Sequence, residues 1–274
     1  WYPHARIYAS SSYTANNIIF NFGQRPFAYT PPAGYLKLNT FNLPDSSIVD
    51  GSENFNTVTY SGNSTYPRTL NGFGFQPDFI WNKARTAAYD SFVFDSVRGL
   101  GNTHFLSSSL TSAEGVNSVN GNISAWDIDG YTMIAPSATD AQNASGQTFV
   151  SWGWKAGGTA VSNTDGTITS SVSANPTAGF SVVTWTGTGA TATVGHGLGV
   201  VPKLYITKDR TNSSTNWHYH TTQIDGGMDF LFLNTTSTST SSSLSTPSST
   251  VITAGGTINT SSANFVSYVF AEVE

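Results

Sequence analysis

Apolar and polar residues alternate along most of this chain, in short runs separated by Gly, Asn, Asp and Pro. Ile18, Phe20 and Phe22, for example, fall on one face of an extended segment, and Gly23 follows that segment directly. No window keeps an apolar face at helical spacing over three turns. Since a period of two residues is that of a β-strand, the pattern predicts an all-β protein with almost no helix.

The chain contains a long internal repeat. The segment GFGFQPDFIWNKAR at residues 72–85 has a counterpart, GLGVVPKLYITKDR at residues 197–210, which lies 125 positions later. Near the end of each copy, NAS and FVSWGW within residues 143–154 are matched by NTS and FVSYVF within residues 259–270, at an offset of 116. Because such self-similarity indicates one structural unit built more than once, these matches predict two homologous domains in tandem.

The alternating runs predict a small antiparallel β-sandwich for each copy. In the first unit, residues 46–157, they fall at 55–60, 79–83, 92–94, 105–106, 124–127, 131–134 and 149–155. Short strands separated by turns at this density are typical of one sandwich. The second unit, residues 158–274, is expected to follow the same order. Its first strand is expected near 170–173, and its Ser/Thr tract at 237–249 is expected to be an exposed loop or edge hairpin.

Residues 1–45 differ from both repeats. WYP at residues 1–3 and NFGQRPFAYTPPAGYLKL at residues 21–38 resemble the C-terminal end of a SPRY-type, concanavalin-like β-sandwich, in the version found in tail-fibre-like proteins of bacteriophages. The strands that precede this stretch in that family are absent from the sequence. The resemblance therefore implies a partial sandwich whose missing strands were cut away or come from elsewhere.

The duplicated units resemble domains that often follow the SPRY-like module in long fibre proteins of marine and cyanobacterial phages. The motifs that carry this resemblance are PDFIWNK at 77–83, FDSVRG at 94–99 and WGWKAG at 152–157. The resemblance implies a structural component of the virion, a fibre or spike segment on the extracellular particle that meets other virion proteins and the host surface. It also implies a homo-oligomer, with a trimer favoured, and a chain that is an excerpt of a longer protein.

Composition and charge exclude several classes of function. Only 10% of the residues are charged, so uncharged Ser, Thr and Asn must keep the surface soluble. The net charge of −5 gives no indication of a positively charged surface, so nucleic acid is not expected as a partner. There is no cysteine, which excludes disulfides and thiolate sites. No apolar run approaches the ~20 residues of a membrane span, so membrane insertion is not expected.

The segment WHYH at residues 217–220 is the strongest candidate for a contact surface. Trp217 and Tyr219 have no aromatic counterpart in the first repeat, so both are expected at the surface, where they would contact a glycan or another partner. His218 and His220 fall on one face of the strand, which is the geometry of a two-histidine metal pair. Phe occupies the matching positions in the first repeat, and a partly exposed strand is therefore the favoured interpretation.

A metal site at this strand would need a third ligand. Asp225 and Asp229 are the nearest carboxylates along the chain, but nothing in their spacing identifies them as ligands. No metal, cofactor or catalytic residue is predicted.

Paired carboxylates are what a glycosidase would need, and two sets are available. Asp127 and Asp129 form the first set, although DIDG at 127–130 is more simply a strand that ends in an Asp-Gly turn. Asp90, Asp95 and Glu114 form the second set, in which Asp95 is expected to pair with Arg98 and fix a loop.

Two further features have structural interpretations. His196 lies in GHGLG at 195–199 and aligns with Asn71, so a tight turn with left-handed backbone at these positions is expected, rather than a phosphate-binding loop. Two aromatic rows and Trp81 are expected in the cores of the sandwiches, although an aromatic strip could also bind sugar rings. The rows are Val150, Trp152, Trp154 and Val266, Tyr268, Phe270.

Four functions thus remain open from the sequence. The first is a virion fibre or spike segment, and the second is a carbohydrate-binding module for host polysaccharide. Capsid decoration and a glycan-degrading tailspike enzyme are the other two, with the enzyme the least favoured.

Overall fold

The computed structural model describes residues 48–101, 103–115, 121–134 and 141–273, together with Thr30 and Ala33. The concanavalin-like segment predicted for residues 1–45 lies outside the described residues, apart from those two. The chain divides into two compact units, Trp1–Ser46 and Ser47–Glu274. The second of these contains both repeats.

The predicted all-β fold is confirmed. In the first repeat the strands are β1 (Phe55–Ser61), β2 (Arg68–Asn71), β3 (Phe79–Ala84), β4 (Phe92–Asp95), β5 (Leu106–Ser107), β6 (Asn122–Asp127), β7 (Gly130–Ile134) and β8 (Thr148–Trp154). Each of the seven predicted runs coincides with a strand. The alternation missed β2, because Leu70 is its only apolar residue.

The second repeat follows the same order. Its strands are β9 (Val161–Asn163), β10 (Ser170–Asn175), β11 (Phe180–Thr186), β12 (Ala192–Gly195), β13 (Pro202–Asp209), β14 (His218–Thr221), β15 (Asp229–Phe232), β16 (Thr240–Ser241), β17 (Val251–Ala254) and β18 (Asn264–Ala271). The strand predicted near 170–173 is β10, and the Ser/Thr tract is largely exposed and contains the edge strand β16. The described residues contain 3-10 turns at Gly51–Glu53 and Gly256–Ile258 but no α-helix, and hence no helix that could cross a membrane.

Each repeat is a sandwich of one large and one small antiparallel sheet. In the first repeat the large sheet has the order β1-β8-β3-β4-β5 and the small sheet the order β2-β7-β6. The second repeat has the same order, β11-β18-β13-β14-β15, extended by β10 and β9 at one edge and by β16 at the other. Its small sheet consists of β12 and β17 alone. The register repeats as well, since Trp81 pairs with Val93 and Ile206 pairs with Tyr219.

Every sandwich has its own core between its two sheets. The first core includes Phe73, Phe92, Phe94, Phe105, Tyr131 and Phe149. The second includes Val183, Trp185, Tyr205, Ile252, Phe265 and Val269. Most of these side chains come from the inward-facing positions of the strands, as a period of two residues requires, while Phe73 and Phe105 come from adjoining loops.

A third apolar cluster joins the two repeats. It is built from the outer faces of the two large sheets and includes Phe79, Val93, Leu106, Phe180, Val182, Ile206, Trp217, Val266 and Tyr268. At its centre the rings of Phe79 and Tyr268 stack with their centroids 4.1 Å apart. The central strands of the large sheets are therefore buried on both faces, and the two sandwiches form a stack of four sheets.

This cluster corrects the placement of the aromatic rows. Trp154, Tyr268 and Phe270 do not fill the interior of their own sandwiches, where the row was expected; they pack in the contact between repeats. Trp81 also packs against this cluster, with its ring at 6.5 Å from that of Trp152. The pattern identified these residues as buried but could not tell which of the two faces of the strand meets the other repeat.

A buried asparagine fixes the same loop in each repeat. In the first, Asn143 Nδ2 donates to the carbonyl oxygen of Thr65 at 3.0 Å, and its Oδ1 accepts from the backbone N–H of Asn63 at 3.1 Å. In the second, Asn259 Nδ2 donates to the carbonyl oxygen of Ala190 at 2.6 Å, and its Oδ1 accepts from the backbone N–H of Thr188 at 3.3 Å. The sequence match at offset 116 thus corresponds to a repeated structural device.

Candidate functional site

Trp217 is buried, and the expectation that it lies at the surface is wrong. Its exposed fraction is 1%. Its Nε1 donates a hydrogen bond of 2.8 Å to the carbonyl oxygen of Ser107, which belongs to the first repeat, and its ring stacks on that of Tyr268 at 6.4 Å. Trp217 therefore stabilises the contact between the repeats and is not available to a partner.

Tyr219 lies on the same face of β14, where it is partly buried against the inter-repeat cluster. Because successive side chains of a strand point to opposite faces, His218 and His220 point into the second sandwich instead. His220 is buried and His218 is partly buried, so the segment at 217–220 does not form one exposed surface.

His218 and His220 line a recess of about 310 Å³ at the edge of the second core, which we call the histidine recess. Their rings stack with centroids 5.8 Å apart, and Tyr205 stacks on the other side of His220 at 4.7 Å. The ring of Phe230 lies 5.8 Å from that of His218 and 5.9 Å from that of His220. Thr257 Oγ1 is 3.2 Å from Nε2 of His218.

The histidine recess is polar but uncharged. Its lining, as far as the structure describes the chain, consists of hydroxyl, glycine and apolar residues besides the two histidines, with no Asp, Glu, Lys or Arg. Burial lowers the pKa of His218 to about 4, with a further contribution from Lys208. Burial and the neighbouring His218 lower the pKa of His220 to about 3. Both imidazoles are therefore neutral at pH 7, and each carries one donor and one acceptor nitrogen.

His220 leaves one of its nitrogens unsatisfied. Its Nδ1 is buried and has no hydrogen-bond partner among the described residues. An unpaired buried polar atom costs about 1–3 kcal/mol, so this position is not one that packing alone would favour.

The two histidines do not belong to a metal site of three or more ligands. Within the described part of the chain, no group of at least three His, Cys, Asp or Glu residues is placed to hold a metal ion. Of the two carboxylates considered as partners, Asp225 accepts a hydrogen bond from the backbone N–H of Gly227 at 2.8 Å. Asp229 is buried in β15, but it is not among the residues that line the recess.

The first carboxylate pair supports turns. Asp129 accepts hydrogen bonds from the backbone N–H groups of Gly72 at 3.1 Å and Gly74 at 2.6 Å. Asp127 accepts a hydrogen bond of 2.8 Å from Thr132 Oγ1. Both carboxylates are thus engaged in holding the hairpin and the preceding loop.

Two members of the second carboxylate set, Asp95 and Glu114, belong to a buried ionic network between the repeats, whereas Asp90 accepts a hydrogen bond of 2.9 Å from Ser109 Oγ at an exposed position. The predicted pair of Asp95 with Arg98 is confirmed. Glu114 Oε1 lies 2.8 Å from Nη1 of Arg98, and its Oε2 lies 2.6 Å from Nη2 of Arg210 in the second repeat. Tyr268 Oη donates to Asp95 at 2.8 Å. The sequence predicted only the local pair; Arg210 and Tyr268 become partners because the two large sheets face each other.

His196 follows β12 directly, and the left-handed backbone expected at His196 and Asn71 belongs instead to their glycine neighbours. Gly197 and Gly199 have φ values of 73° each, and the matching Gly72 and Gly74 have φ values of 105° and 79°. His196 itself is fully buried, with Nε2 at 3.2 Å from the carbonyl oxygen of Ser248. The glycines, which alone among the residues adopt this backbone without cost, explain why both copies keep the GxG spacing.

A recess of about 800 Å³ forms an open groove along the seam between the repeats. Its most buried carboxylate, Asp78, accepts hydrogen bonds from the backbone N–H of Ala156 at 2.8 Å, that of Gly158 at 3.3 Å and Ser96 Oγ at 2.9 Å. This carboxylate therefore fixes the junction between the repeats.

Comparisons with known proteins identify one family. Residues 50–274 match a family described as a domain of unknown function, DUF7483. No curated protein and no solved structure matches the chain. The matched range contains both repeats and begins close to the start of the compact unit Ser47–Glu274. Since the match covers most of the sequence, this chain belongs to the DUF7483 family.

Proposed function

We propose that the chain is a structural segment of a phage virion, part of a fibre or spike that projects from the particle and reaches the host surface. The observation that carries this proposal is the buried contact between the two repeats. Domains within one chain move relative to each other unless their interface is large and apolar. A projecting element has to keep its shape, and a stack of four sheets with a shared aromatic and ionic interface suits that role.

The resemblance of the motifs at 77–83, 94–99 and 152–157 to phage fibre domains supports the same proposal. All three segments contribute to the region between the repeats. Each segment supplies at least one residue that meets the second repeat, among them Phe79, Arg98 and Trp154. The motifs that carry the resemblance therefore contribute residues to the interface that holds the two repeats together.

A hydrolytic function is less well supported. Asp78, Asp95, Asp127, Asp129 and Glu114 all hold structural hydrogen bonds or ion pairs. A glycosidase needs two carboxyl groups across a sugar-binding cleft, one of them with a raised pKa. These carboxylates are instead distributed over turns and the inter-repeat network.

We further propose that the chain forms a homo-oligomer, with a trimer favoured. Among the described residues, strands β1 and β9 lie at edges of the two large sheets without a further partner, and Val161 in β9 is 65% exposed. Open sheet edges tend to pair with other chains, and closed symmetry is the common way to satisfy them. Light scattering of the full chain should give a multiple of the 29.1 kDa protomer mass; a monodisperse monomer would contradict this part of the proposal.

Immunogold labelling of intact phage particles tests the proposed location. Antibodies raised against the exposed Ser/Thr tract at 237–249 should label a projecting fibre or spike. Label spread over the head would favour capsid decoration instead. Particles that carry no label, with the protein found only free in the lysate, would overturn a virion function.

A further inference from the structure

The histidine recess is a feature of the second repeat alone. At the matching positions of β4, the first repeat has Phe92 and Phe94, which pack against Phe105 in a closed core. The pairing of β3 with β4 and of β13 with β14 places His218 and His220 at these same positions. One scaffold thus occurs twice in this molecule, once with a sealed apolar core and once with two imidazoles.

The sheet opposite the histidines is also open in the second repeat. In the first repeat, β6 completes a three-stranded small sheet, whereas the second has only β12 and β17. The chain that would correspond to β6 instead runs along β15 as the short strand β16. The recess therefore opens where a third strand is missing, and Ser241, Ser242 and Ser243 form part of its wall.

The polar groups of the recess are incompletely satisfied. His220 is 2% exposed, lines the recess and keeps Nδ1 without a partner among the described residues. Phe at this position would have avoided that cost, as Phe94 does in the first repeat. Because Nδ1 is closed off from solvent, a molecule in the recess would contact the rest of the His220 ring, which lines the recess beside His218.

The chemistry of the lining selects the class of that molecule. Neutral imidazoles and serine and threonine hydroxyls both donate and accept hydrogen bonds, and Phe230 offers an apolar ring next to them. Among the described residues, no charged side chain lines the recess, so an ionic ligand would be buried there without a counter-charge. A molecule with many hydroxyls and an apolar C–H face fits this combination, and a volume of about 310 Å³ limits it to a small ring.

We propose that the histidine recess binds a neutral sugar, one pyranose unit with free hydroxyls, through His218, His220 and the surrounding hydroxyl groups. This inference does not rest on the proposed virion function, since a sugar site would serve a fibre and a free binding module equally well. It moves the expected glycan contact from Trp217, which is buried between the repeats, to the opposite face of the same strand.

The test is a titration of the full chain with neutral sugars, followed through the ring nitrogens of its histidines by ¹⁵N NMR. Methyl glycosides of glucose, galactose, mannose and N-acetylglucosamine serve as probes. At least one of them should shift the His218 and His220 resonances saturably while those of His196 stay in place. If none of the four shifts the two histidines, the proposal is overturned.

Two variants make the test specific. The first variant combines His218→Phe with His220→Phe and so reproduces the residues of the first repeat. It should fold, because Phe92 and Phe94 are accommodated at these positions there. It should weaken sugar binding by about tenfold or more. Binding by the variants is read from the backbone amide shifts of β14 and β17. Tyr219→Phe is the control, because it changes the same strand on the face that points away from the recess, and it should bind as the unchanged protein does.

Other outcomes decide against a sugar site. Undiminished binding by the double-phenylalanine protein would place the sugar elsewhere. A stoichiometric response of both histidines to Zn²⁺ with none to the sugars would identify a metal pair instead. Should the double variant not fold, His218→Phe alone together with the ring-nitrogen shifts of the unchanged protein decides the question.

Discussion

Arg98 shows how a single residue depends on the whole fold. Its side chain is completely buried, and it contacts Asp95 and Glu114 and donates a hydrogen bond of 3.3 Å to Tyr268 Oη. Burial opposes its charge, but the neighbouring carboxylates, Asp95 first, outweigh burial and raise the pKa of Arg98 above its ordinary value. A buried cation of this kind is tolerated only while its partners stay in place.

Replacement of Arg98 by Met should therefore destabilise the protein strongly. The substitution keeps an apolar stem but leaves Asp95 buried without its cation, which typically costs about 3–5 kcal/mol. Urea unfolding at neutral pH would measure the loss. The exposed Arg85 provides the control, since Arg85→Met should change stability by no more than about 0.5 kcal/mol. Similar small losses for both variants would show that the network contributes little.

The two histidines of the recess should make stability depend on pH. Their folded pKa values of about 4 and about 3 lie below the value of about 6.5 for an unfolded chain. Between these limits the unfolded state binds more protons, so the free energy of unfolding falls as the pH is lowered from 6.5. The slope is about 1.4 kcal/mol per pH unit for each histidine.

Urea unfolding at a series of pH values between 7 and 4.5 tests this expectation. The pKa values of His104 and His196 are also lowered, chiefly by burial, so part of the slope should remain when the recess is changed. The protein with His218→Phe and His220→Phe should show a clearly shallower dependence. Equal slopes in the two proteins would mean that the recess histidines titrate normally.

At the scale of the elements, the repeats reuse the same local solutions. Asn143 and Asn259, which fix the loops after β1 and β11, are both fully buried. Gly62 and Gly187 lie beside them, and a Cβ added at either would come within 2.0 Å and 2.2 Å of a backbone oxygen, that of Ala144 and that of Thr260. The close backbone approach at the glycine and the buried side-chain amide of the asparagine therefore form one structural unit, which is present in both repeats.

Asn259→Ala should destabilise the second repeat by about 2–3 kcal/mol, because the substitution leaves the buried indole N–H of Trp185 and two partly buried backbone groups without partners. Asn143→Ala should cost a comparable amount, since Asn143 makes the equivalent bonds in the first repeat. Chemical denaturation measures both. Ser145→Ala is the control, because Ser145 is exposed and lies only two residues after Asn143. This substitution should be nearly neutral. A cost for one asparagine only would show that the two loops are not equivalent in energy.

At the scale of the whole molecule, the contact between repeats dominates. The outer faces of the two large sheets supply Phe79, Trp217 and Tyr268, and separation of the repeats would expose all three to water. Apolar area contributes roughly 25 cal/mol for each Å² buried, so an isolated repeat would lose a large part of its stabilisation. This contact, more than any single strand pairing, makes Ser47–Glu274 one compact unit.

Both repeats should therefore unfold in one cooperative step. Differential scanning calorimetry of the chain should show a single transition for this unit, with equal calorimetric and van't Hoff enthalpies. Trp217→Ala, which opens the contact, should lower the midpoint of that transition. Two well-separated transitions in the unchanged protein would mean that the repeats are independent domains.

The sequence by itself determined the fold class, the duplication and most strand positions. These depend on local chemistry: alternation marks β4 and β8 with their rows of aromatic residues, and the GxG spacing marks the turns before β3 and β13. The pairing of Asp95 with Arg98 was predictable for the same reason, since the two residues are three positions apart. Strand β2 was missed because a strand with one apolar residue produces no alternation.

Only the tertiary structure decided what each buried face meets. An alternating strand shows that one of its faces is covered, but it does not show which element covers that face. The aromatic rows were therefore expected inside their own sandwiches. Trp217, which has no aromatic counterpart in the first repeat, was expected at the surface. The partner of Trp217, Ser107, lies 110 residues away in the chain, and no local pattern encodes that distance. The histidine recess depended likewise on a strand missing from the opposite sheet, because a binding site is formed by the space between elements and not by the residues of one element.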